Sequence, residues 1–489
     1  MIQEGLFSRA MEGITGGVIL AAFALALGAS DLEIGLIAAI PFLAQLAHLP
    51  GVALLARFPD RRLLAVSYAA GARALFLLIA VIPFLDLPVR PLTVLIALLV
   101  LYAVLATLSG ASWQVWVREL VPRDRIGAYF GRRMGILSAV GLVTLLAAGQ
   151  FLTWWRDTFP GQELARFSIL FALGGLLGFL SAYLLSRAPS VPGQVVPARD
   201  LGESLRRPFR ERNFRRLLVF LGAWGFAANF ALPFVTVVLL RTLGYSLAVV
   251  TLLAAFSQVA NIVGFRLWAP LTDRYGNKPV LFVSASIFLF AMIAWALLPK
   301  VATTPVLAAI FVLHVFFGLA TAGLDLASNG VVMKLASEEA LPSYLASASI
   351  VKAIATGVAP LLAGLVALSL SDTAFTLRLG WARGGAETVV TAVRIAHYDF
   401  LFLTSAILGL YAIHRLLGFE EAGEAPPEEV VRAMRREVGQ VSSIAGMRQF
   451  THLSSYLVET VYRFESTLSR GMGRTRRPPP DEPPEPERS

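Results

Sequence analysis

Ionisable side chains are scarce inside the long apolar stretches of this 489-residue sequence, so those that occur there are the first candidates for chemistry. Asp325 and Lys352 stand out. Asp325 lies about two helical turns from the Lys334 end of its apolar run, and Lys352 sits at similar depth counted from the turn at Pro342. An ionisable group at such depth costs about 2.5–3.5 kcal/mol, and opposite charges at matched depth can pair and fasten two helices. A helix advances almost three full turns between His314 and Asp325, which puts both on one face with Gly318 and Thr321, and Asn329 follows one turn beyond. His314 by itself also suits a hydrogen bond to a neighbouring helix.

Further polar candidates come in pairs. Gln258 and Asn261 are one turn apart, Asn229 lies near Trp224, and Gln45 lies near His48. Their amides can contact a solute or cross-link membrane helices at about 0.6 kcal/mol each. Arg73 falls deep in another apolar run, where it can snorkel, pair with an acid such as Glu12, or meet water. Trp113 and Trp116 close a run and read as interface anchors.

The elements that must position these residues follow from composition. With 56% apolar and 15% charged residues and a mean hydropathy of +0.69, the chain is excluded from the soluble enzymes, disordered scaffolds and disulfide-stapled domains. An apolar run of roughly 20 residues spans a bilayer core as a helix. Twelve such runs occur, with cores at 13–29, 34–56, 63–84, 92–113, 134–154, 167–186, 217–240, 247–270, 279–298, 305–331, 344–370 and 398–416. The first ends in Gly28-Ala29-Ser30, a signal-peptide feature, but Glu4 and Glu12 spoil a basic leader. With the N-terminus inside, twenty-one Lys and Arg fall in inner loops and eight in outer loops, which places both termini in the cytoplasm beneath a cell inner membrane. The net charge of +10 therefore reflects membrane orientation, and no nucleic-acid partner is called for. There is no cysteine, phosphate-binding Gly-rich loop, paired-His metal motif or nucleophile elbow, which leaves no catalytic, metal or cofactor site to assign.

The fold class is thus all-α membrane protein, organised as a six-helix bundle at 1–187, a linker at 188–216, a second six-helix bundle at 217–416, a helical tail at 417–473 and a disordered Pro-rich end at 474–489. The segment Leu201 to Arg216 alternates Leu and Phe with Arg, the pattern of an amphipathic helix on anionic lipid, though a solvated linker fits as well. In the tail, Val430, Met434, Val438, Val441, Phe450, Leu453, Leu457, Val461, Phe464 and Leu468 recur at three or four, an amphipathic pattern that suits the inner leaflet or a protein partner. Residues 371–397, too polar to span, read as a disordered loop in preference to a lid or partner surface.

The halves echo one another. Phe58-Pro59-Asp60-Arg61-Arg62 follows the second run, and Ala269-Pro270-Leu271-Thr272-Asp273-Arg274-Tyr275-Gly276-Asn277-Lys278-Pro279 follows the eighth. Twelve runs, a charged central loop and this repeated loop resemble the major facilitator superfamily of secondary transporters, whose loop reads Gly-x-x-x-Asp-Arg/Lys-x-Gly-Arg/Lys-Arg/Lys. The later copy departs at Ala269 and Asn277, and the earlier one keeps only Asp60 and Arg61. The resemblance implies two pseudo-symmetric bundles that rock around a cavity lined by spans one, four, seven and ten, which would include the Asp325 stripe and make Asp325 a proton-relay or cargo-amine site, with Lys352 as its charge partner or an anion ligand. It makes Asp60, Arg61, Asp273, Arg274, Gly276 and Lys278 candidate gate latches, whose alternative role is topology anchoring and capping. The expected function is alternating-access transport of a small organic solute, with proton-coupled efflux of an amphipathic compound preferred and sodium as the other coupling ion. Metabolite import, lysolipid flipping and a non-transporting scaffold acting through the tail are the alternatives.

Overall fold

The structure, a computed structural model of the whole chain, describes residues 2–48, 50–51, 60–86, 88–120, 126–189, 201–336, 340–383, 386–423, 425–426, 429 and 432. Apolar residues on all sides of each run leave the helix as the one way to satisfy the backbone inside lipid. The first half contains α1 (Ile2–Thr15), α2 (Gly17–Ala26), α3 (Asp31–Leu43), α4 (Arg61–Val81), α5 (Pro91–Leu120), α6 (Ile126–Thr158) and α7 (Ala165–Ser186). A short α8 (Leu201–Arg210) lies in the linker, and the second half contains α9 (Arg212–Val237), α10 (Leu247–Tyr275), α11 (Asn277–Leu297), α12 (Thr304–Leu335), α13 (Leu341–Ser369) and α14 (Tyr398–Leu416). Among the described residues, eleven helices are long and apolar enough to cross a membrane, α1 and α2 counting as one. The second expected span is α3, continued by a 3₁₀ turn over Ala44–Ala47 toward residues outside the described set.

The first span begins well before residue 13. It runs from Ile2, kinks at Gly16 and buries Ile19 and Phe23 in the core. Trp116 corrects the interface-anchor reading: its side chain is fully buried and its indole N–H donates to the Pro189 carbonyl at 3.1 Å, because α5 extends to Leu120 and carries it inside a cluster with Ala65, Ala69 and Leu185. The 371–397 insert is no loop. It forms a hairpin of β1 (Ala374–Arg383) and β2 (Ala386–Ala396), paired antiparallel from Ala374 with Ala396 to Arg383 with Ala386, with an irregularity between Leu377 and Arg378. The β-branched run Thr388-Val389-Val390-Thr391 supplies the strand preference that the polar residues around it concealed. Most of the expected tail helix lies outside the described residues.

The halves meet along two helix pairs, α3 against α13 and α6 against α10. Small residues allow the approach. A β-carbon at Gly35 of α3 would run into the Pro360 carbonyl oxygen of α13, and one at Gly364 would come within 2.7 Å of the Asp31 carbonyl oxygen. Gly35→Val should therefore destabilise the bundle by about 1–3 kcal/mol through overpacking against rigid backbone. A detergent melt read by size exclusion checks this, with a clear loss of thermal stability expected and an unchanged melt counting against tight α3–α13 contact.

Candidate functional site

Between the halves lies a cavity of about 450 Å³. Phe42 and Gln45 enter it from the first half, and α9, α11, α12 and α13 supply the rest, including Trp224, Asn229, Phe288, Thr321, Asp325 and Lys352. Asp325 is exposed to this space, although protein surrounds it on most sides. The two facts agree once its carboxylate is seen as lining an internal space. Among the described residues neither Asp325 nor Lys352 has a hydrogen-bond or ion-pair partner, and Lys352 acts on Asp325 only through space. A static pair locking α12 to α13 is therefore not what the structure contains.

Six sequence candidates thus line one cavity: Asp325, Lys352, Thr321, Asn229 and Trp224 from the second half and Gln45 from the first. Asn229 lines the cavity and donates to the Gly225 carbonyl at 3.0 Å. Others lie elsewhere. His314 bonds its own helix, ring Nδ1 to Ile310 carbonyl at 2.9 Å, and faces Trp295; Phe317 packs on cavity-lining Phe288 at 5.4 Å, closing the wall one turn short of it. Asn261 is inter-helix glue, donating to Thr321 Oγ1 at 3.1 Å and to the Gly318 carbonyl at 3.3 Å. Gln258 borders a separate, smaller cavity with Arg9 and Glu12. Arg73 is buried in the first half beside Ser8 (3.4 Å) and Glu4, away from the central cavity. Asn329 is exposed beyond the lining.

The arrangement that sequence reasoning missed is a polar clamp joining the halves at the end opposite the basic loops. Asp31, at the start of α3, is 7% exposed. Its Oδ1 accepts from Arg241 at 3.1 Å and from the Tyr398 hydroxyl at 2.7 Å, and its Oδ2 lies 3.0 Å from His397 Nε2. Arg241 also donates to the Ala29 carbonyl. Arg241 projects from a π turn over Val238–Thr242 at the end of α9, a local rewinding that re-aims a side chain. His397 sits at φ +47°, a conformation that costs a non-glycine residue about 1–3 kcal/mol. Its ring contact to Asp31 and its N–H to the Thr373 carbonyl, 3.3 Å, hold it there. Nearby, Thr153 Oγ1 of α6 accepts from the Ala248 N–H of α10 at 3.0 Å, a further bond between halves. The cavity-lining residues lie deeper, from mid-membrane toward the basic end, so the halves are fastened on one side of the cavity.

The family model of the Major Facilitator Superfamily matches residues 5–360 and again 217–462. The chain belongs to the major facilitator superfamily. Solved structures of superfamily transporters share its fold: the nucleoside transporter NupG at 13% identity (TM-score 0.63, 85% of this chain and 97% of that one), the D-xylose-proton symporter at 14% (0.61, 87% and 98%), and a bacterial homolog of the human lysosomal transporter Spinster, inward-facing and unoccupied, at 16% (0.59, 96% and 95%). No curated protein matches the sequence. The protein is therefore a multi-pass secondary transporter that works by alternating access, and not an enzyme.

The superfamily loop after α10 takes a form that explains its departure at Asn277. Gly276, at φ +91°, turns the chain between α10 and α11. Asn277 then binds Glu421 through both its backbone N–H (3.1 Å) and its side-chain amide (2.8 Å), and Lys278 N–H binds the other carboxylate oxygen at 2.7 Å. Lys334, at the end of α12, completes the cluster at 2.9 Å, and Lys278 Nζ donates to the Phe419 carbonyl at 2.8 Å. All these partners lie in the second half, so the Lys278 end of the loop clamps α11 and α12 to the chain after α14. Asp273 and Arg274 are exposed, with Arg274 over Tyr275. In the first copy Asp60 caps α4 through Leu63 N–H at 2.9 Å, buried Arg61 follows, and Arg62 reaches the Ala188 carbonyl at 3.3 Å.

Burial alone would raise the Glu421 carboxyl, but the hydrogen bonds from Lys334, Lys278 N–H and Asn277 outweigh it and hold it below the usual carboxylate range. A carboxyl held low in the folded state stabilises above its unfolded pKa, near 4.3, and loses that stabilisation as pH falls through the lower folded value. Thermal stability in detergent should therefore fall as pH drops below about 5, and Glu421→Gln should lower it by about 1–3 kcal/mol at neutral pH while flattening that slope. Identical melts for the two proteins at pH 7 would show that the cluster contributes nothing.

Proposed function

We propose that this transporter exports an amphipathic organic solute across the cell inner membrane in exchange for protons, with Asp325 as the shared site. The observation that carries the reading is a carboxylate with no bonded partner among the described residues, facing a cavity between two halves that are fastened to each other at one end. An intramembrane charge costs about 2.5–3.5 kcal/mol on insertion scales, which selection retains where the charge is used. The excess of Lys and Arg in the loops at the other end supports an orientation with the clamp outside and both termini in the cytoplasm, so that the cavity loads from the cytoplasmic side. Solute entering from the cytoplasm meets Asp325 in a cavity that Trp224 and Phe288 also line. Breaking the clamp opens the cavity outward, where a proton replaces the solute on Asp325. Gln45, Asn229 and Thr321 orient the cargo, and α8, with exposed Arg206, Arg207 and Arg210, rests on anionic headgroups.

Inverted membrane vesicles test this. With an acid lumen, a panel of radiolabelled amphipathic solutes should include members that accumulate inside and release protons outward. Accumulation only against an alkaline lumen would reverse the direction to import, and no accumulation of any solute would favour the scaffold reading.

A further inference from the structure

The wall of the central cavity is electrically balanced yet unpaired, and that combination bears on what fits it. Asp325 on α12 and Lys352 on α13 carry opposite charges into the same 450 Å³ space, and neither has a bonded partner among the described residues. The remaining surface is largely apolar and aromatic, with Phe42, Trp224 and Phe288 around the two charges. Trp224 and Phe288 pack edge-on at 5.4 Å, a rigid platform for an apolar body.

Three kinds of charged solute can be compared at this site. A cation satisfies Asp325 but leaves the Lys352 ammonium in the cavity without a partner. An anion does the reverse. Each leaves a charged group in a low-dielectric space, a heavy penalty on binding. A solute carrying both charges satisfies both groups and adds no net charge to a neutral cavity. We propose that the cargo is a small zwitterion with an apolar or aromatic body, its ammonium on Asp325 and its carboxylate or phosphate on Lys352. This rests on the transport reading above and narrows it. Ammonium and proton then exclude each other at Asp325, so one site suffices for exchange. Lys352 sets the class: without it, the same cavity accepts simple amines.

Three probes with the same phenylethyl body separate the possibilities: phenylalanine, phenethylamine and 3-phenylpropionate, titrated calorimetrically at pH 7 into the purified full-length protein. Phenylalanine is expected to bind at least tenfold more tightly than either singly charged analogue. Lys352→Gln should erase its advantage over phenethylamine, and Asp325→Asn its advantage over 3-phenylpropionate. A singly charged probe that binds the unmodified protein as tightly as phenylalanine, or the absence of binding by all three, overturns the assignment without any variant being needed. If vesicles nonetheless exchange protons for another solute, only the zwitterion class falls; if they move no solute at all, the transport reading falls with it.

Discussion

Replacing Asp325 with Asn is expected to abolish solute-driven proton movement, by about 100-fold or more, while leaving the protein folded. The size follows from the role assigned to it: an amide neither carries a titrating proton nor offers a full charge to an ammonium. The sparing of the fold follows from the structure. Asp325 has no bonded partner among the described residues, so its neutralisation orphans no hydrogen-bond donor, and what is lost is the through-space attraction of Lys352, offset by the removal of one intramembrane charge. Expression, size-exclusion profile and thermal stability should stay close to those of the unmodified protein. Asp325→Glu should keep measurable exchange, because it keeps the titrating group within the same space. Undiminished solute-driven proton release by Asp325→Asn in inverted vesicles would remove the site from the mechanism.

The second large effect is expected at the clamp. Asp31 gathers three donors from the other half: Arg241, His397 and Tyr398. Breaking a buried pair costs about 3–5 kcal/mol, but the Arg241 side chain is 38% exposed, so solvent screening reduces this to about 1–3 kcal/mol. That difference favours one state of the pair of halves only, and it corresponds to a shift of roughly 5- to 150-fold in their equilibrium. Asp31→Ala should therefore populate a state opened at the clamp end. The sequence contains no cysteine, so spin labels can be placed at will. Labels introduced by Asp86→Cys and Asp372→Cys report the separation of the halves at that end. Their distance distribution should gain a longer component in Asp31→Ala, and Tyr398→Phe should produce a smaller shift in the same direction. An unaltered distribution would mean that the contacts at α3–α13 and α6–α10, and not this clamp, hold the end shut.

The sequence was legible where a physical rule is local. Apolar run length gives the helices, and the expense of charge in lipid singles out Asp325 and Lys352, both of which line the cavity. Helical periodicity was less reliable across a long helix: His314 shares the Asp325 face by angle, yet the cavity ends before it because Phe317 meets Phe288. Asn261 and Arg73 have the right polarity and depth but are used within one half. The clamp was hidden for a different reason. Asp31 is 210 positions from Arg241 and 366 from His397, and each residue has an innocent local reading, as part of a helix start, an outer topology anchor or a loop histidine. Only the crossing of α3, α9 and α14 brings them together. Glu421 likewise follows the last span as one acid among several, and its clue was Asn277, the position at which the superfamily loop departs from its basic residue.

The central claim is that one cavity serves both faces of the membrane in turn. Ser349 lines that cavity and is exposed within it, and Ser349→Cys would be the sole cysteine of the chain. Its reaction with a membrane-impermeant maleimide, followed in right-side-out and inverted vesicles, tests the claim directly. Labelling is expected from the cytoplasmic face in the clamped protein and from the outer face when Asp31→Ala is added, with each gain on one face matched by a loss on the other. Labelling from one face whatever the clamp does, or a simultaneous rise on both faces, would contradict it.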